Sequence, residues 1–195
     1  ASGMTDTLTR TVDEADARGV DRVVTPHLAL LSDPEGAEAE AISALRTNLV
    51  AGAIGQGMRS LALCGASAGS GVSGVAANLA AALAQAGLRT LLIDGDLHSN
   101  GLDAYFTLEG EGDVPGLRQC LSGEIERMDR AILPVMPDLS LLRAGGLAAN
   151  AQELLSGPAL GALIDHCLRS YDITLIDTPP ANISADARRI AANLG

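Results

Sequence analysis

Short apolar runs that end in glycine or aspartate alternate along this chain with longer segments in which alanine and leucine recur at helical spacing. The runs predict buried strands of a parallel sheet, because each is continuous, brief and rich in branched residues. They read "RSLALCG", "RTLLIDGD", "DLSLLRAGG" and "YDITLIDTPP". Strands that alternate with helices predict an α/β fold, in which helices cover both faces of a mainly parallel sheet.

The segments between these runs carry helix signals. An alanine- and leucine-rich helix is predicted over residues 73–86, and Gly87 follows it as the usual residue beyond a helix C terminus. Another helix is predicted in "SDPEGAEAEAISALRTNLV", with Asp33 as its N-cap. The shorter predicted helices cover residues 117–121, two pieces of 151–169 divided by Pro158, and residues 185–193.

The order of the elements also predicts where a ligand would bind. In open α/β sheets, ligands lie beyond the carboxyl ends of the parallel strands. The glycine-rich loop at residues 69–74 and the carboxylates of Asp94, Asp96 and Asp177 all fall at that edge. Glycine-rich turns also occur for packing alone. Here, however, three carboxylates lie beside such a turn, and they supply the hard oxygen ligands that a hydrated Mg²⁺ requires.

Composition and charge narrow the chemistry. Aromatic residues make up 2% of the chain, so alanine, leucine, valine and isoleucine must fill the core. The formal net charge of −11 argues against general nucleic-acid binding, which needs clustered cations. All 13 basic residues are arginine, which excludes any chemistry that uses a lysine of this chain. The three cysteines and three histidines are scattered without metal-ligand spacing, which indicates a reducing cytosol.

The polar residues 1–25 lack sustained periodicity, which predicts an arm or linker before one domain at residues 26–195. No apolar run is long enough to span a bilayer, and no signal peptide is expected.

Four stretches in order along residues 25–190 resemble the cytoplasmic domain of bacterial tyrosine kinases, the BY-kinases of capsule and exopolysaccharide assembly. These kinases belong to the deviant P-loop ATPases that include MinD and ParA. The stretches read "EAEAISALRTNL", "GASAGSGVSGVAANLAAALAQAG", "TLLIDGDLHSNGLDAYF" and "LLRAGGLAANAQELLSGPALGALIDHCLRSYDITLIDTPP". The first and last are specific to the BY-kinase branch.

The resemblance implies a P-loop NTPase-like fold that binds ATP or ADP with Mg²⁺. It assigns catalytic roles to Asp94, near the γ-phosphate and with a base role toward a tyrosine hydroxyl, and to Asp96. The implied nucleotide-binding residues are Gly69, Ser70, Gly71, Val72, Ser73 and Gly74. The implied metal ligands are Ser73, Asp94, Asp96 and Asp177.

The phosphate loop departs from the family pattern. Val72 stands where the loop lysine is usual, and Gly74 stands where a second hydroxyl residue is usual. His98 and Ser99 replace two usual arginines after Asp96. Losing the lysine predicts weak nucleotide binding, because a charge-assisted contact contributes about 1.5–3 kcal/mol.

The leading helix and the C-terminal region also depart from the family pattern. In the leading helix, Glu40 and Arg46 keep two positions of the family's E-x-x-R-x-x-R ring contact, but Ser43 replaces one arginine. No stretch of this sequence resembles the family's C-terminal strands and tyrosine cluster, and its two tyrosines are Tyr105 and Tyr171. We expect either that the chain is cut short or that the natural protein lacks the substrate tail.

Three functions stay open at this point. The resemblance favours a regulatory domain of exopolysaccharide or capsule biosynthesis with impaired or absent tyrosine kinase activity; an active protein-tyrosine kinase and a MinD- or ParA-like positioning ATPase are the alternatives. It implies a partner in the cytoplasmic segment of a membrane polysaccharide co-polymerase, and a homo-oligomer formed through the Glu40–Arg46 helix. The implied location is the cytoplasm at the inner membrane, reached through that partner or through a membrane segment outside this chain.

Overall fold

The computed structural model describes residues 23–109, 114–182 and 184–194, and shows a central sheet flanked by helices. Its strands are β1 (Val23–Pro26), β2 (Ser60–Cys64), β3 (Thr90–Asp94), β4 (Phe106–Glu109), β5 (Ile132–Met136), β6 (Leu139–Leu142) and β7 (Ile173–Thr178). Its helices are α1 (Ala29–Ser32), α2 (Ala37–Leu49), α3 (Val72–Gln85), α4 (Leu117–Ser122), α5 (Ala151–Ser156), α6 (Pro158–Ser170) and α7 (Asp186–Ala191). A π-helical turn at Val50–Ile54 continues α2, and 3₁₀ turns lie at Gly101–Ala104 and Met128–Arg130.

The main sheet has the strand order β2-β7-β3-β6-β5. The four predicted strands are β2, β3, β6 and β7, and they pair in parallel, which confirms the mainly parallel sheet. The edge strand β5 pairs antiparallel with β6. It was not predicted, because Pro134 lies inside it and proline argues against a strand except at an edge.

A second, two-stranded sheet joins β1 to β4 in antiparallel register and was also not predicted. The predicted boundary between arm and domain, at residues 25 and 26, falls inside β1. The rest of the predicted arm, residues 1–22, lies outside the described residues.

Two apolar cores cover the two faces of the main sheet. In β3 the side chain of Leu92 belongs to one core, while those of Leu91 and Ile93 belong to the other, as the alternation of side chains along a strand requires. Helix α3 lies in the first core and buries a nearly continuous row of small alanines. Small side chains bring the helix close to the sheet, which explains how the core forms with so few aromatic residues.

The leading helix does not begin where the sequence predicted, and the assignment of Asp33 as its N-cap was wrong. Gly36 is the N-cap of α2, while Asp33 follows α1 as its C-cap. The carbonyl of Asp33 accepts the N–H of Gly36 at 3.0 Å, so "DPEG" forms a tight turn between two helices. The preceding α1 is fixed by burial of Leu30, whose N–H donates to Asn78 Oδ1 of α3 at 2.9 Å.

The remaining predicted helices are confirmed as α3 to α7, with Pro158 at the start of α6. Gly87 follows α3 in the left-handed conformation, with φ at 84°. In the described part of the chain, no helix combines the length and the apolar character needed to cross a membrane.

Candidate functional site

The glycine-rich loop between β2 and α3 has the backbone shape of a phosphate-binding loop. Gly69 and Gly71 adopt left-handed conformations, with φ at 76° and 79°, which glycine reaches without steric cost. Gly71 is the N-cap of α3, and the first intrahelical bond runs from the N–H of Val75 to its carbonyl at 3.1 Å. The N–H groups of Val72, Ser73 and Gly74 therefore have no acceptor within the helix, and such groups attract anions.

The side chain of Val72 is half-buried and folds back over the start of this loop. A Cβ placed on Gly65 would lie 3.3 Å from Val72 Cγ2 and would collide with Ser70 Oγ, so the loop closes tightly over its first glycine. The loop is tied to the segment after β7, since Ala181 N–H donates to Gly65 O at 2.9 Å.

Two carboxylates meet beside the first turn of α3. Asp94 of β3 and Asp177 of β7 stand opposite each other in register, and the two residues are only 0% and 2% exposed. One oxygen of each, Asp94 Oδ2 and Asp177 Oδ1, is buried without a hydrogen-bond partner. The hydroxyl of Ser73 hydrogen-bonds Asp177, which links the loop to the carboxylate pair.

Burial of these two carboxylates shifts their protonation. Burial raises the pKa of Asp177 to about 6, with a further rise from the charge of Asp96, while the Ser73 hydrogen bond opposes it. Burial also raises the pKa of Asp94 well above its usual value, and the neighbouring charges of Asp177, Asp96 and Asp103 add to that rise. Buried, mutually repelling carboxylates favour a bound cation, because a cation reverses both effects.

Asp96 is held differently from the other two carboxylates. Its Oδ1 accepts the N–H groups of His98 at 2.9 Å and Ser99 at 3.2 Å, and its Oδ2 accepts the Ser99 hydroxyl at 2.6 Å. Its own N–H donates to Asp94 Oδ1 at 3.1 Å. Asp96 therefore shapes the turn after β3 and orients Asp94, in addition to the metal and catalytic roles predicted for it.

The chemistry of this donor set fits Mg²⁺. Asp94 and Asp177 each carry a buried oxygen without a partner, and the Ser73 hydroxyl contacts Asp177. Hard oxygen ligands of this kind are the ones that Mg²⁺ takes. Among the described residues, no three His, Cys, Asp or Glu side chains are grouped to hold one metal ion. This arrangement suits an ion that keeps several waters and takes its remaining ligands from phosphate oxygens.

The turn after Asp96 is fastened to α7 by residues whose connection the sequence did not reveal. His98 Nε2 lies 2.8 Å from Asp186 Oδ2, and Arg189 donates to Asp186 Oδ1 at 2.9 Å. Burial alone would raise the pKa of Asp186, but hydrogen bonds from Ser184 and His98 outweigh it and the net shift is downward. His98 was noted only as a departure from the family pattern, and no local pattern points to Asp186 as its partner.

Gly95 separates Asp94 from Asp96, and Gly95→Ala is expected to destabilise the domain by about 1–3 kcal/mol through overpacking. An added Cβ would lie 2.7 Å from the backbone oxygen of Asp177 and 3.0 Å from Ile176 Cγ2. Thermal melting measures the effect. The matched variant Gly161→Ala, inside α6, meets only the side chain of Asn193 at 3.3 Å and should gain stability from the helix preference of alanine. Equal melting temperatures for Gly95→Ala and the natural protein would contradict the close approach.

Comparisons with known proteins place the chain in a family. The AAA domain model matches residues 58–191, which contain the loop and all three carboxylates. The tyrosine-protein kinase wzc of Salmonella typhi is 33% identical over 178 residues, covering 91% of this chain and 24% of that kinase. The chain spans 21% of the length of two other curated relatives, so it matches only part of each of these proteins.

Solved structures resemble this chain over most of its fold. The BceF tyrosine kinase domain superposes with a TM-score of 0.74 at 28% identity, covering 96% of this chain and 72% of that one. MinD from Pyrococcus horikoshii, solved with Mg-ADP, has a TM-score of 0.55 at 24% identity, covering 69% of this chain and 54% of its own, and shows the shared fold alone. Together with the matched family model, these likenesses show that the chain belongs to the AAA domain family, in the branch of bacterial tyrosine kinase (BY-kinase) domains and with the P-loop fold of MinD and ParA.

Proposed function

We propose that this domain serves exopolysaccharide or capsule biosynthesis as a nucleotide-binding regulatory domain whose ATP-dependent tyrosine kinase activity is impaired or absent. One observation carries the proposal: Ser73, Asp94 and Asp177 form a site suited to Mg²⁺ beside free helix N–H groups, while Val72 supplies no cation. The tyrosine kinases among the chain's relatives support the kinase-like origin of the site.

In this proposal the loop holds the phosphates of ATP or ADP with its backbone. The ligands come from Gly69, Ser70, Gly71, Val72, Ser73 and Gly74. Mg²⁺, when bound with the nucleotide, would neutralise phosphate charge as a Lewis acid. Ser73, Asp94 and Asp177 would hold the ion and its waters, and Asp96 would hold Asp94 in position through its N–H.

The proposed impairment of phosphoryl transfer follows from the missing positive charge of the loop lysine. Phosphoryl transfer depends on positioning and on stabilising charge that develops in the transition state, and the loop lysine is one source of both. In the part of the chain that the structure describes, no arginine hydrogen-bonds or ion-pairs with the loop; Arg143 is paired with Asp103 and Arg189 with Asp186.

The proposed partner is the cytoplasmic segment of a membrane polysaccharide co-polymerase, with the domain in the cytoplasm at the inner membrane. Helix α2 is the proposed surface for a homo-oligomer. It buries Ala39 and Ile42 against the domain and leaves Leu45 36% exposed. Glu40 and Arg46 make no ion pair within the described residues, so both charges are available to a neighbouring subunit. Residues 1–22 stay a proposed linker to the domain, whose first strand β1 begins at residue 23.

The test is calorimetric titration of Mg-ATP and Mg-ADP into the natural protein, with an autophosphorylation assay alongside. We expect micromolar or weaker binding, because the backbone and metal ligands remain and the cation does not. Ser73→Ala should weaken the Mg²⁺-dependent part of the binding, since it removes the hydroxyl beside Asp177. No phosphotyrosine should form.

Other outcomes would favour the other functions. Nanomolar binding, or phosphate on Tyr105 or Tyr171, would overturn the impaired-kinase proposal in favour of an active kinase. Steady ATP hydrolysis without transfer to tyrosine would favour a MinD- or ParA-like positioning ATPase.

A further inference from the structure

A tyrosine occupies the space beside the first turn of α3. A Cβ placed on Gly74 would lie 2.7 Å from Tyr105 Oη and 3.1 Å from Tyr105 Cζ. Any side chain at position 74 would therefore collide with the phenol, so the glycine and the tyrosine fit each other. The phenol hydroxyl occupies the place that a side chain on the helix would otherwise take.

The position of Tyr105 is fixed by its backbone and by its neighbours. It ends the 3₁₀ turn at Gly101–Ala104, and its N–H donates to Leu102 O at 2.9 Å. Its carbonyl accepts the N–H of His27 at 2.8 Å, and the next residue, Phe106, is buried in the core. The same turn contacts the metal-side hydroxyl, since a Cβ on Gly101 would lie 2.9 Å from Ser73 Oγ. The turn thus presses against two successive residues of α3.

The hydroxyl of Tyr105 has no hydrogen-bond partner among residues 23–109, 114–182 and 184–194, although the ring is half-buried. The buried side-chain atoms without a partner do not include this hydroxyl oxygen, so it reaches solvent and is open to a ligand. The nearest helix turn offers free N–H groups at Val72, Ser73 and Gly74, which are donors and cannot accept the phenol proton. A group that accepts from both the helix and the phenol would satisfy all of these donors, and phosphate oxygens do so.

We propose that the Tyr105 hydroxyl is a phosphate ligand of this site, donating a hydrogen bond to the nucleotide phosphate held by the Gly74 end of the α3 first turn. The inference rests on the nucleotide binding proposed above. The buried, partnerless oxygens of Asp94 and Asp177 support a ligand at this helix terminus independently of Tyr105. The phenol is a neutral donor that replaces no charge, so it complements the backbone cradle without restoring the lost cation.

The test compares Tyr105→Phe with Tyr171→Phe, a matched change at the chain's other tyrosine, which lies at the end of α6. Both changes keep the aromatic ring, so the space over Gly74 stays filled in Tyr105→Phe. Mg-ADP is titrated calorimetrically in the natural background and in Val72→Lys, where binding is expected to be tighter. Tyr105→Phe should weaken binding by roughly tenfold in both backgrounds, as expected for a lost hydrogen bond to a charged group. Tyr171→Phe should bind like its parent.

Tyrosine absorbance gives a second readout, because the chain has two tyrosines and no tryptophan. Mg-ADP should perturb the tyrosine spectrum of Tyr171→Phe and leave that of Tyr105→Phe unchanged. If the parents bind Mg-ADP and Tyr105→Phe binds equally well, Tyr105 only packs and the inference fails while the proposed function stands. If no variant binds in either background, both fail.

Discussion

Val72→Lys is expected to bind Mg-ATP at least about tenfold more tightly than the natural sequence, because one charge-assisted contact is worth about 1.5–3 kcal/mol. Position 72 is the first residue of α3 and directly follows the N-cap Gly71, so a lysine there starts beside the free N–H groups of the first turn. The valine is half-buried against Gly65, and a lysine stem can cover the same surface while its ammonium group reaches solvent or phosphate.

Calorimetric titration measures this gain, and Val72→Met is the control of similar length without charge. The gain of Val72→Lys should shrink as salt is added, whereas any effect of Val72→Met should not. Equal affinities for the two variants would mean that side-chain length and not charge limits binding. No binding by Val72→Lys would show that the pocket itself is lost, contrary to the geometry of Ser73 and Asp177.

The apolar runs predicted the four parallel strands because a buried strand needs a continuous apolar sequence, and this requirement is local. The edge strand β5 escaped prediction because Pro134 is tolerated only where the partner on one side is missing, and a sequence does not state which strand lies at the edge. The start of α2 was placed three residues early, since Asp33 is a good cap wherever a helix begins. What decided the matter was the contact of α1 with Asn78, which lies far along the chain.

The candidate site was likewise predictable in its strand order and not in its side-chain contacts. That Asp94 and Asp177 share an edge with the glycine loop follows from strand order, and the sequence predicted it. That their free oxygens face no protein donor, while both oxygens of Asp96 are occupied by the next turn, depends on side-chain orientation. The contact of Tyr105 with Gly74 depends on a 3₁₀ turn that has no clear sequence signal.

Asp177→Asn is expected to stabilise the unliganded protein and to weaken Mg²⁺-dependent nucleotide binding. The pKa of Asp177 is about 6, above its value in the unfolded chain, so the folded state binds more protons between about pH 4 and pH 6. The free energy of unfolding therefore falls as pH rises through that window, by an amount on the order of 3 kcal/mol at most. Asparagine removes this penalty, so the variant should melt at a higher temperature at pH 8 and at about the same temperature below pH 4.

Asp172→Asn is the matched control, since Asp172 lies just before the same strand but is only half-buried and is paired with Arg89 at 2.7 Å. Hydrogen bonds from Arg89 lower the pKa of Asp172, so its charge contributes stability above the unfolded pKa that is lost as pH falls. Asp172→Asn should therefore lower the melting temperature at pH 8, opposite in sign to Asp177→Asn. A lower melting temperature for Asp177→Asn at pH 8 would mean that its carboxylate is compensated within the protein. In that case the Asp177 charge would not destabilise the unliganded protein, and no bound cation would be needed to explain why the fold keeps it.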